Sequence, residues 1–528
     1  MLNILMEKYC RLENNNFVEN RVEEERFCKK ILLWMLLIWN VFWLFIPLFV
    51  IPGVYFDVLE NIEWGRYWQF GYDKHPFVSM WITRFFYDLT GTASVMYILN
   101  QISISCAVVC VWLLSRKFLR PLSALAAALM PLTLQYYSSW ALEFNNDVIA
   151  ISVWGAAALF YYNALDKQHV KDWLLTAFFC AFALMTKYYA VVLLVSMAFA
   201  LIAHKKGRQS FKHIGIYLAA ILFILLITPN LIFLIQNDFM PFKYAAARSV
   251  SGKYSGFWIS RIMNELDLLR VILSRLAFFI AAYLLVFFRS RPRMNMKWNF
   301  SRLFVAIVGL GPLGITLLFP LLTGGNIKPT WLASCLSLLA LLLFMFLRPV
   351  VTRRSIYMLT GLIWIFGLAL ALEFAFYKGI RTPYYKSRCG YEVFPGKPLG
   401  EKISKIWRRK YATPLKYVIA NRNHGCNIAF FADDNPSAFY FADTKISPWV
   451  KTDSVAEAGG VIVWEIRNSS QENKLPEFVD NLGESKKRVI LLPPIQLERL
   501  TTPWARMIMK RPAKAITMGV ALLPPEKL

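Results

Sequence analysis

The sequence contains few charged residues for its length. Asp, Glu, Lys and Arg together make up 17% of its 528 residues, whereas 57% are hydrophobic. A soluble domain is about half apolar and about a quarter charged, so this composition argues against a soluble protein and favours a membrane protein. The sequence also has no internal repeat and no low-complexity segment.

Cysteine is scarce as well. The eight cysteines form no CxxC pair and no Cys/His spacing of the kind that binds a metal. Only Cys389 and Cys426 fall in the polar C-terminal part, where an oxidising compartment would allow a disulfide. The sequence leaves open whether these two cysteines pair.

Long apolar segments recur from Ile31 to Phe376 and stop after Tyr377. A helix needs roughly twenty apolar residues to cross a membrane, and the pattern predicts about eleven spans. They are expected near residues 31–51, 94–114, 121–138, 148–164, 172–186, 188–203, 214–236, 269–288, 303–322, 330–347 and 355–376. The predicted domains are an N-terminal segment that is not a cleavable signal (1–30), a membrane domain (31–376) and a C-terminal domain (377–528).

The formal net charge of +26 would suit a protein that binds nucleic acid. However, the basic residues alternate from loop to loop and follow every even-numbered span: Arg116, Lys117 and Arg120; Lys167 and Lys171; Lys205, Lys206, Arg208 and Lys212; residues 289–302; Arg348, Arg353 and Arg354. Lys and Arg concentrate in cytoplasmic loops of membrane proteins, so no nucleic-acid partner is expected. The N-terminus is predicted to be cytoplasmic, and residues 377–528 periplasmic, in a bacterial inner membrane.

Two of the outer loops are too long to be simple connections. Residues 52–91 are rich in aromatic and ionisable side chains and predict two short amphipathic helices on the outer membrane surface. Residues 237–267 have the same character, and long loops of this kind usually form a site.

The C-terminal part, residues 377–528, has the pattern of a small globular domain. It contains a helical pattern and four strand-like runs, at residues 399–420, 427–433, 459–466, 488–494 and 516–524 respectively. The predicted fold is therefore mainly α: a polytopic helical bundle with a small C-terminal α/β domain outside the cytoplasm.

Asp57 is the first candidate catalytic residue, because an ionisable residue close to the membrane is a functional hypothesis by default. At the rim of a membrane-facing cavity it would accept a proton from a hydroxyl nucleophile. Glu60 lies on the same helical face and is a weaker candidate. Asp57 is an equally good helix N-cap, and the sequence does not decide between the two interpretations.

Cations in the outer loops predict a phosphate site. Lys74 and His75 come directly before a predicted helix, where a phosphate is readily bound. Lys187, at the outer end of the fifth span, and Arg248, in the third outer loop, add positive charge. The alternatives are that Lys74 and His75 face lipid headgroups and that Lys187 snorkels to the interface.

Polar residues before the fourth span complete the candidate site. Glu143, Asn145 and Asn146 would line a pocket for a sugar or an acceptor, with Tyr72 as a polar aromatic partner, or they would cap the fourth helix. Together the candidates describe a cavity open to the outer leaflet, with a carboxylate and several cations. That chemistry suits a lipid-linked phosphosugar.

The segment YFDVLENIEWGRYWQFGYDKHPFVSMW resembles the first outer loop of the GT-C membrane glycosyltransferases. This superfamily includes protein O-mannosyltransferases, lipid A aminoarabinose transferases and, most similar here, bacterial galacturonosyltransferases of lipid A and core. The residues that match that branch are Asp57, Glu60, Trp64, Gly65, Gly71, Tyr72, Lys74, His75 and Pro76. LEFNND (142–147), LMTKYYAVVLL (184–194), residues 237–248 and SPWV (447–450) also resemble it.

The resemblance implies a mechanism. The donor would be a polyprenyl-phosphate sugar, and Asp57 would take the proton of an acceptor hydroxyl that attacks the anomeric carbon with inversion. The acceptor would be lipid A, core, or another lipid or envelope glycan, and the sugar is not defined. Lys74, His75, Lys187 and Arg248 would neutralise the phosphate.

Two departures from the family pattern concern the acids and the loop. Phe77 replaces a second proline, and Val58 follows Asp57 where many relatives have an Asp-Glu pair. Some relatives use a divalent metal, but Lys74 occupies the place of the metal-binding acid, so no metal and no other cofactor is expected.

Two alternative functions remain open at this point. A transporter or flippase of a lipid-linked sugar would more often show repeated halves and broken spans. A non-catalytic envelope assembly protein would use the tail as its binding module.

Overall fold

A computed structural model describes residues 2–249, 254, 256–287, 297–468, 471 and 474–526, with side chains from residue 21 onward. Its α-helices are α1 Leu2–Val50, α2 Phe56–Gly65, α3 Val78–Thr90, α4 Val95–Ser115, α5 Pro121–Leu129, α6 Asn146–Lys167, α7 Val170–Thr186, α8 Val191–Ala203, α9 Lys205–Gln209, α10 Ile214–Gln236, α11 Met240–Ser249, α12 Phe257–Phe287, α13 Phe300–Thr323, α14 Leu339–Leu347, α15 Arg353–Phe374, α16 Thr382–Tyr384, α17 Gly396–Tyr411, α18 Arg422–Phe431, α19 Thr452–Ala458 and α20 Pro503–Met509. A π-helical turn, Ala375–Arg381, joins α15 to α16. Residues 289–296 of the predicted basic loop lie outside the described residues.

Within the described residues, seven helices are long and apolar enough to cross a membrane, and two bent helix pairs raise the number to nine. As far as the structure describes them, the predicted spans all fall largely on helices. However, the apolar helix at Pro121–Thr133 is shorter than a span by itself, and α7 has only 17 residues. The protein is therefore a multi-pass membrane protein of mainly helical fold, while the count of eleven spans stays a prediction.

The short helix α5 lies inside the bundle. Eight of its nine residues are buried, and the run Ala126–Ala128 presents only small side chains. Small side chains let neighbouring helices approach closely, which supports packing where no hydrophobic effect acts between helices. Around this centre, Trp39 of α1 packs edge-to-face on Trp364 of α15, with ring centroids 5.5 Å apart.

The first outer loop contains the two predicted helices, α2 and α3, but α2 does not lie on the membrane surface. Its residues Val58–Gly65 are buried because the C-terminal domain covers it. Glu63 Oε1 accepts the backbone N–H of Ala438 at 3.1 Å, and Trp64 belongs to the core of that domain. Helix α2 is thus held between the bundle and the tail.

The C-terminal domain has a five-stranded mixed sheet in the order β2-β1-β3-β5-β4. The strands are β1 Tyr417–Ala420, β2 Ser437–Tyr440, β3 Gly460–Ile466, β4 Ile490–Glu498 and β5 Ala515–Leu523. β1 runs parallel to β2 and β3, and β5 runs antiparallel to β3 and β4. The small α/β domain is therefore confirmed.

Two element predictions in the tail are wrong. Residues 427–431 of the run 427–433 are the second half of helix α18, and the run contains no strand. Asn421 caps this helix by accepting the N–H of His424 at 3.0 Å, and the apolar residues Ile428 and Ala429 are buried. The predicted helix 399–420 ends at Tyr411, and its last residues form β1.

Candidate active site

A cavity of about 830 Å³ lies between the bundle, helix α2 and the C-terminal domain. Its volume is in the range of sites that hold a drug-sized or larger ligand. Nine of the residues selected from the sequence line it: Asp57, Glu60, Lys74, His75, Glu143, Asn145, Asn146, Lys187 and Arg248. The loops that carry them are separated in sequence but meet at one end of the bundle.

Tyr72 is the selected residue that does not line this cavity. Its hydroxyl donates to the carbonyl of Trp64 at 2.8 Å, and its ring stacks on the Trp64 indole with centroids 5.2 Å apart. The side chain is 2% exposed. Tyr72 therefore holds the Lys-His-Pro loop against α2, and the predicted contact with a sugar or acceptor is not supported.

Asp57 lies in the first turn of α2. Tyr55 occupies the N-cap position, and no side chain caps the helix, so the N-cap interpretation of Asp57 is wrong. The carboxylate instead accepts a hydrogen bond from Asn145 Nδ2 at 3.0 Å. Burial, together with the charge of Glu60, raises the pKa of Asp57 above its usual value, although Lys74 and Asn145 act in the opposite direction. A raised pKa makes a carboxylate a better proton acceptor at neutral pH.

The polar residues before α6 both line the cavity and cap the helix, which are the two alternatives that the sequence left open. Asn145 Oδ1 caps α6 by accepting the N–H groups of Asp147 at 3.0 Å and Val148 at 3.3 Å. Glu143 Oε1 accepts the backbone N–H of Asp57 at 3.2 Å. The Oδ1 atom of Asn146 is buried in the cavity wall with no partner among the described residues, so it is an acceptor available to a ligand.

Burial raises the pKa of Glu143 to about 8, and the neighbouring Asp57 contributes to the shift. A carboxyl with this pKa is mainly protonated at pH 7. Asp57 therefore has a neutral acid, rather than a second negative charge, beside it.

Glu60 and Lys74 form a buried ion pair. The Lys74 ammonium lies 2.6 Å and 2.7 Å from the two carboxylate oxygens of Glu60. From the C-terminal domain, Arg422 approaches the same carboxylate at 3.6 Å and also pairs with Asp73. Glu60 and Lys74 thus neutralise each other, and Lys74 is less available to a phosphate than the sequence indicated.

Lys187 is buried, with 7% of its surface exposed, so the snorkelling interpretation is wrong. Its ammonium pairs with Asp147 and lies over the ring of Trp331, 5.0 Å from the centroid. Both the acid and the aromatic face hold the charge inside the cavity.

Two further cations face a narrow extension of the cavity. Arg248 of α11 and Lys328, before the 3₁₀ turn that begins at Pro329, line it together with Tyr188, Phe242 and other largely apolar residues. Neither Arg248 nor Lys328 pairs with an acid in the part of the chain that the structure describes. The Lys328 residue is partly exposed, but partial burial of its ammonium group, together with Arg248, lowers the pKa of Lys328 to about 8.

His75 lies in the same extension but is not a cation. Burial, reinforced by Lys74 and Lys187, holds the pKa of His75 well below its usual value. The imidazole is therefore neutral at pH 7 and contributes no charge, which corrects the predicted role in charge neutralisation.

The sequence reasoning missed Lys328 and the wall that the C-terminal domain supplies. That wall includes Arg388, Asn421, Arg422, Asn423, His424 and Arg467. A signal for it exists: the polar run 421–424 directly follows the apolar run 417–420. When that run is a parallel strand, as β1 is, residues just past its carboxyl end commonly form a site.

Metal ligands form no comparable cluster. Among the described residues, no group of three or more His, Cys, Asp or Glu side chains is placed to hold a metal ion. The thiols of Cys389 and Cys426 are both free in the structure.

The helical bundle, the buried α2 and the polar cavity beneath a small mixed sheet define a multi-pass membrane fold. Solved structures share this fold. ArnT from Cupriavidus metallidurans in the apo state matches with a TM-score of 0.58 and 11% identity, over 93% of this chain and 98% of that chain. ArnT bound to undecaprenyl phosphate gives the same TM-score and identity, over 94% of this chain and 98% of that chain.

Sequence comparison covers a smaller part of the chain. Residues 74–233 match the family described as dolichyl-phosphate-mannose-protein mannosyltransferase, and no curated protein matches. The resemblance to the GT-C glycosyltransferases is confirmed for the fold, whereas the galacturonosyltransferase branch stays a prediction.

Proposed function

We propose that the protein is a membrane glycosyltransferase that moves a sugar from a polyprenyl-phosphate donor to a lipid or other envelope acceptor. The single observation that carries the proposal is the meeting of a half-buried carboxylate, Asp57, with cations that no acid neutralises among the described residues, in one cavity at the end of the bundle. The similarity to a protein bound to undecaprenyl phosphate and to a family described by dolichyl-phosphate-mannose supports the same donor class.

Asp57 is the proposed base. The acceptor hydroxyl attacks the anomeric carbon, its proton passes to Asp57, and the bond from the anomeric carbon to the phosphate oxygen breaks. A single displacement of this kind inverts the anomeric centre. Asn145 orients the carboxylate through the 3.0 Å hydrogen bond, and Glu60 acts on Asp57 only through its charge because Lys74 occupies its oxygens.

The phosphate leaves as an anion and needs cations rather than a strong general acid. Arg248 and Lys328 are the proposed partners, because neither is neutralised by an acid among the described residues. Lys187 adds positive charge, although its ion pair with Asp147 partly neutralises that charge. Cations fixed where negative charge develops stabilise the transition state without reorganising during the reaction.

A second cavity provides a route for the acceptor. It has a volume of about 460 Å³ and extends to Lys378 in the π-helical turn that follows α15. Glu143 and Asn145 line both cavities. Two substrates, one bound in each cavity, would therefore meet beside Asp57. Glu143, Asn145 and Asn146 are therefore proposed to contact the sugar or the acceptor.

The remaining proposals rest on the alternation of basic loops along the sequence. We place the site on the periplasmic side of a bacterial inner membrane, with residues 1–30 in the cytoplasm, 31–376 as the transferase domain and 377–528 as a periplasmic cover. A lipid A or core acceptor agrees with this location.

The test compares envelope lipids and glycans by mass spectrometry in wild-type, deletion and Asp57→Asn strains. Loss of the same glycosyl mass in both mutants is expected, with the Asn variant present in the membrane at the wild-type level. Asp433→Asn is the matched control, because Asp433 is half-exposed on the C-terminal domain and outside the cavity. A wild-type glycan profile in Asp57→Asn would show that Asp57 is not the base.

A further inference from the structure

The short helix α20 of the C-terminal domain is attached to the end of the first spanning helix. Trp504 Nε1 donates to the carbonyl of Phe49 at 2.8 Å, although the two residues are far apart in sequence. The Trp504 ring also packs on Gly379 in the turn that ends the last span. Helix α20 is therefore fixed at the level where the bundle leaves the membrane.

The outward side of α20 is apolar. Met507 is 74% exposed and Ile508 is 60% exposed. The surface of the bundle next to them is also apolar, with Phe49 at 65% and Phe376 at 58% exposed. The apolar side of α20 thus continues the surface that faces lipid in a spanning protein.

Four cations surround this apolar patch. Arg381 and Lys386 lie over the Tyr377 ring, at 5.2 Å and 4.3 Å from its centroid. Arg511 lies over the Tyr385 ring at 5.0 Å, and Lys514 donates to the Tyr385 carbonyl at 2.9 Å.

None of these four cations forms an ion pair with an acid among the residues that the structure describes. Exposed cations grouped beside exposed apolar side chains, with two tyrosines between them, are typical of an element that lies in the membrane interface.

We propose that Arg381, Lys386, Met507, Ile508, Arg511 and Lys514 form an interfacial anchor that binds anionic phospholipid headgroups of the outer leaflet. Met507 and Ile508 enter the boundary of the acyl chains, and the four cations contact lipid phosphates. The anchor holds the C-terminal domain over the bundle from the membrane side. This inference does not depend on the proposed transferase activity.

The first experiment locates the apolar side chains. A photo-crosslinking amino acid is introduced at Met507 or Ile508 in the full chain, in native membrane vesicles. Illumination is expected to give phospholipid adducts in mass spectra. Lys487 is the control position, because its side chain is 76% exposed on the same domain and is expected to give none. Adducts to a protein, or no lipid adduct at either position, would overturn the proposal.

The second experiment tests the charges. The full chain is reconstituted in nanodiscs of phosphatidylcholine and phosphatidylglycerol, and the lipids retained on the protein are quantified by native mass spectrometry. Wild type is expected to retain phosphatidylglycerol preferentially. Each basic residue near an anionic surface contributes about fivefold in binding, so Lys386→Gln/Arg511→Gln/Lys514→Gln should lower the enrichment by at least that factor.

The matched control removes three exposed basic residues from helix α17 of the same domain, in the variant Lys402→Gln/Lys405→Gln/Arg409→Gln. Its phosphatidylglycerol enrichment is expected to equal that of wild type. An unchanged enrichment in the anchor variant, or an equal loss in the control variant, would overturn the proposed site.

Discussion

Asn145 Nδ2 donates a hydrogen bond of 3.0 Å to Asp57 Oδ2, while Asn145 Oδ1 accepts the N–H groups of Asp147 and Val148. One amide thus joins the start of a spanning helix to the carboxylate proposed as the base. The capping bonds fix which end of the amide faces Asp57, because only the NH₂ group can donate to a carboxylate.

The two functions of this amide are separable by mutation. Serine caps a helix about as well as asparagine, but it has no NH₂ group for Asp57. Asn145→Ser should therefore keep the wild-type unfolding temperature and lower turnover by about tenfold or more, the value of a hydrogen bond to a charged group. Asn145→Ala should in addition lose about 1 kcal/mol of stability. Turnover and thermal unfolding of purified protein measure the two effects.

The pH profile gives an independent check on Asn145. Its hydrogen bond lowers the pKa of Asp57, against the upward effect of burial. A base is active when it is ionised, so loss of this bond should move the acidic limb of the rate profile to higher pH in Asn145→Ser. Full activity with an unshifted limb would contradict the positioning role.

Glu143 gives a contrasting prediction. Burial raises its pKa from 4.5 to about 8, so the residue is mainly a neutral acid at pH 7. Glutamine is a close mimic of that form, and Glu143→Gln should keep turnover within about twofold of wild type at pH 7. Asp57→Asn, the same chemical change on the neighbouring acid, should abolish turnover. A large loss in Glu143→Gln at pH 7 would show that the Glu143 charge is needed.

The same shift predicts how stability depends on pH. Because the folded protein holds a proton on Glu143 that the unfolded chain releases, this group destabilises the fold progressively as the pH rises from 4.5 to about 8. Glutamine does not titrate. The unfolding temperature of Glu143→Gln minus that of wild type should therefore increase between pH 5 and pH 8, measured in detergent at constant ionic strength. A difference that does not change with pH would contradict the raised pKa.

The sequence predicted which residues line the cavity better than it predicted which of them form ion pairs with each other. Asp57, Glu143 and Lys187 belong to different loops, but the alternation of basic loops placed all of them at the outer ends of spans. Polar residues at the same end of a bundle are therefore expected to line a common cavity. The pairing of Lys74 with Glu60 was not predictable, because it depends on the path of the irregular chain between them.

The C-terminal wall was missed for a different physical reason. β1 has only four residues, and its apolar run continues a helical pattern, so periodicity could not separate strand from helix. Arg422 therefore had no predicted location. The burial of α2 was also missed, since an amphipathic helix has the same pattern whether a membrane or a protein domain covers its apolar side.

Arg422 joins the C-terminal domain to the first outer loop, through its pair with Asp73 and its approach to Glu60. Removing one member of a buried ion pair leaves an uncompensated charge and typically costs about 3–5 kcal/mol. Arg422→Gln should therefore lower the unfolding temperature markedly and expose the junction of the two domains to limited proteolysis.

The double variant Asp73→Asn/Arg422→Gln removes both charges and should recover part of the lost stability. Arg408→Gln is the matched control, because Arg408 is half-exposed and pairs with Asp434 inside the C-terminal domain, where an exposed pair contributes little stability. If the double variant is as unstable as the sum of the single variants, the Arg422–Asp73 pair does not hold the domains together.

Lys328 links donor binding to pH. Burial and the nearby Arg248 lower its pKa to about 8, so the side chain is charged below pH 8 and becomes neutral above it. A bound phosphate favours the charged form. The affinity of wild-type protein for polyprenyl phosphate should therefore fall as the pH rises through 8. Arginine stays charged throughout this range, and Lys328→Arg should bind with the same affinity at pH 7 and pH 9. Lys328→Gln should bind weakly at both values.

Titration of each variant with polyprenyl phosphate in detergent micelles measures the three profiles. The control is Lys410→Gln, which alters an exposed residue of α17 outside the cavity and should keep the wild-type profile. A wild-type affinity that does not decrease above pH 8 would remove Lys328 from the phosphate site and leave Arg248 and Lys187 as its cations.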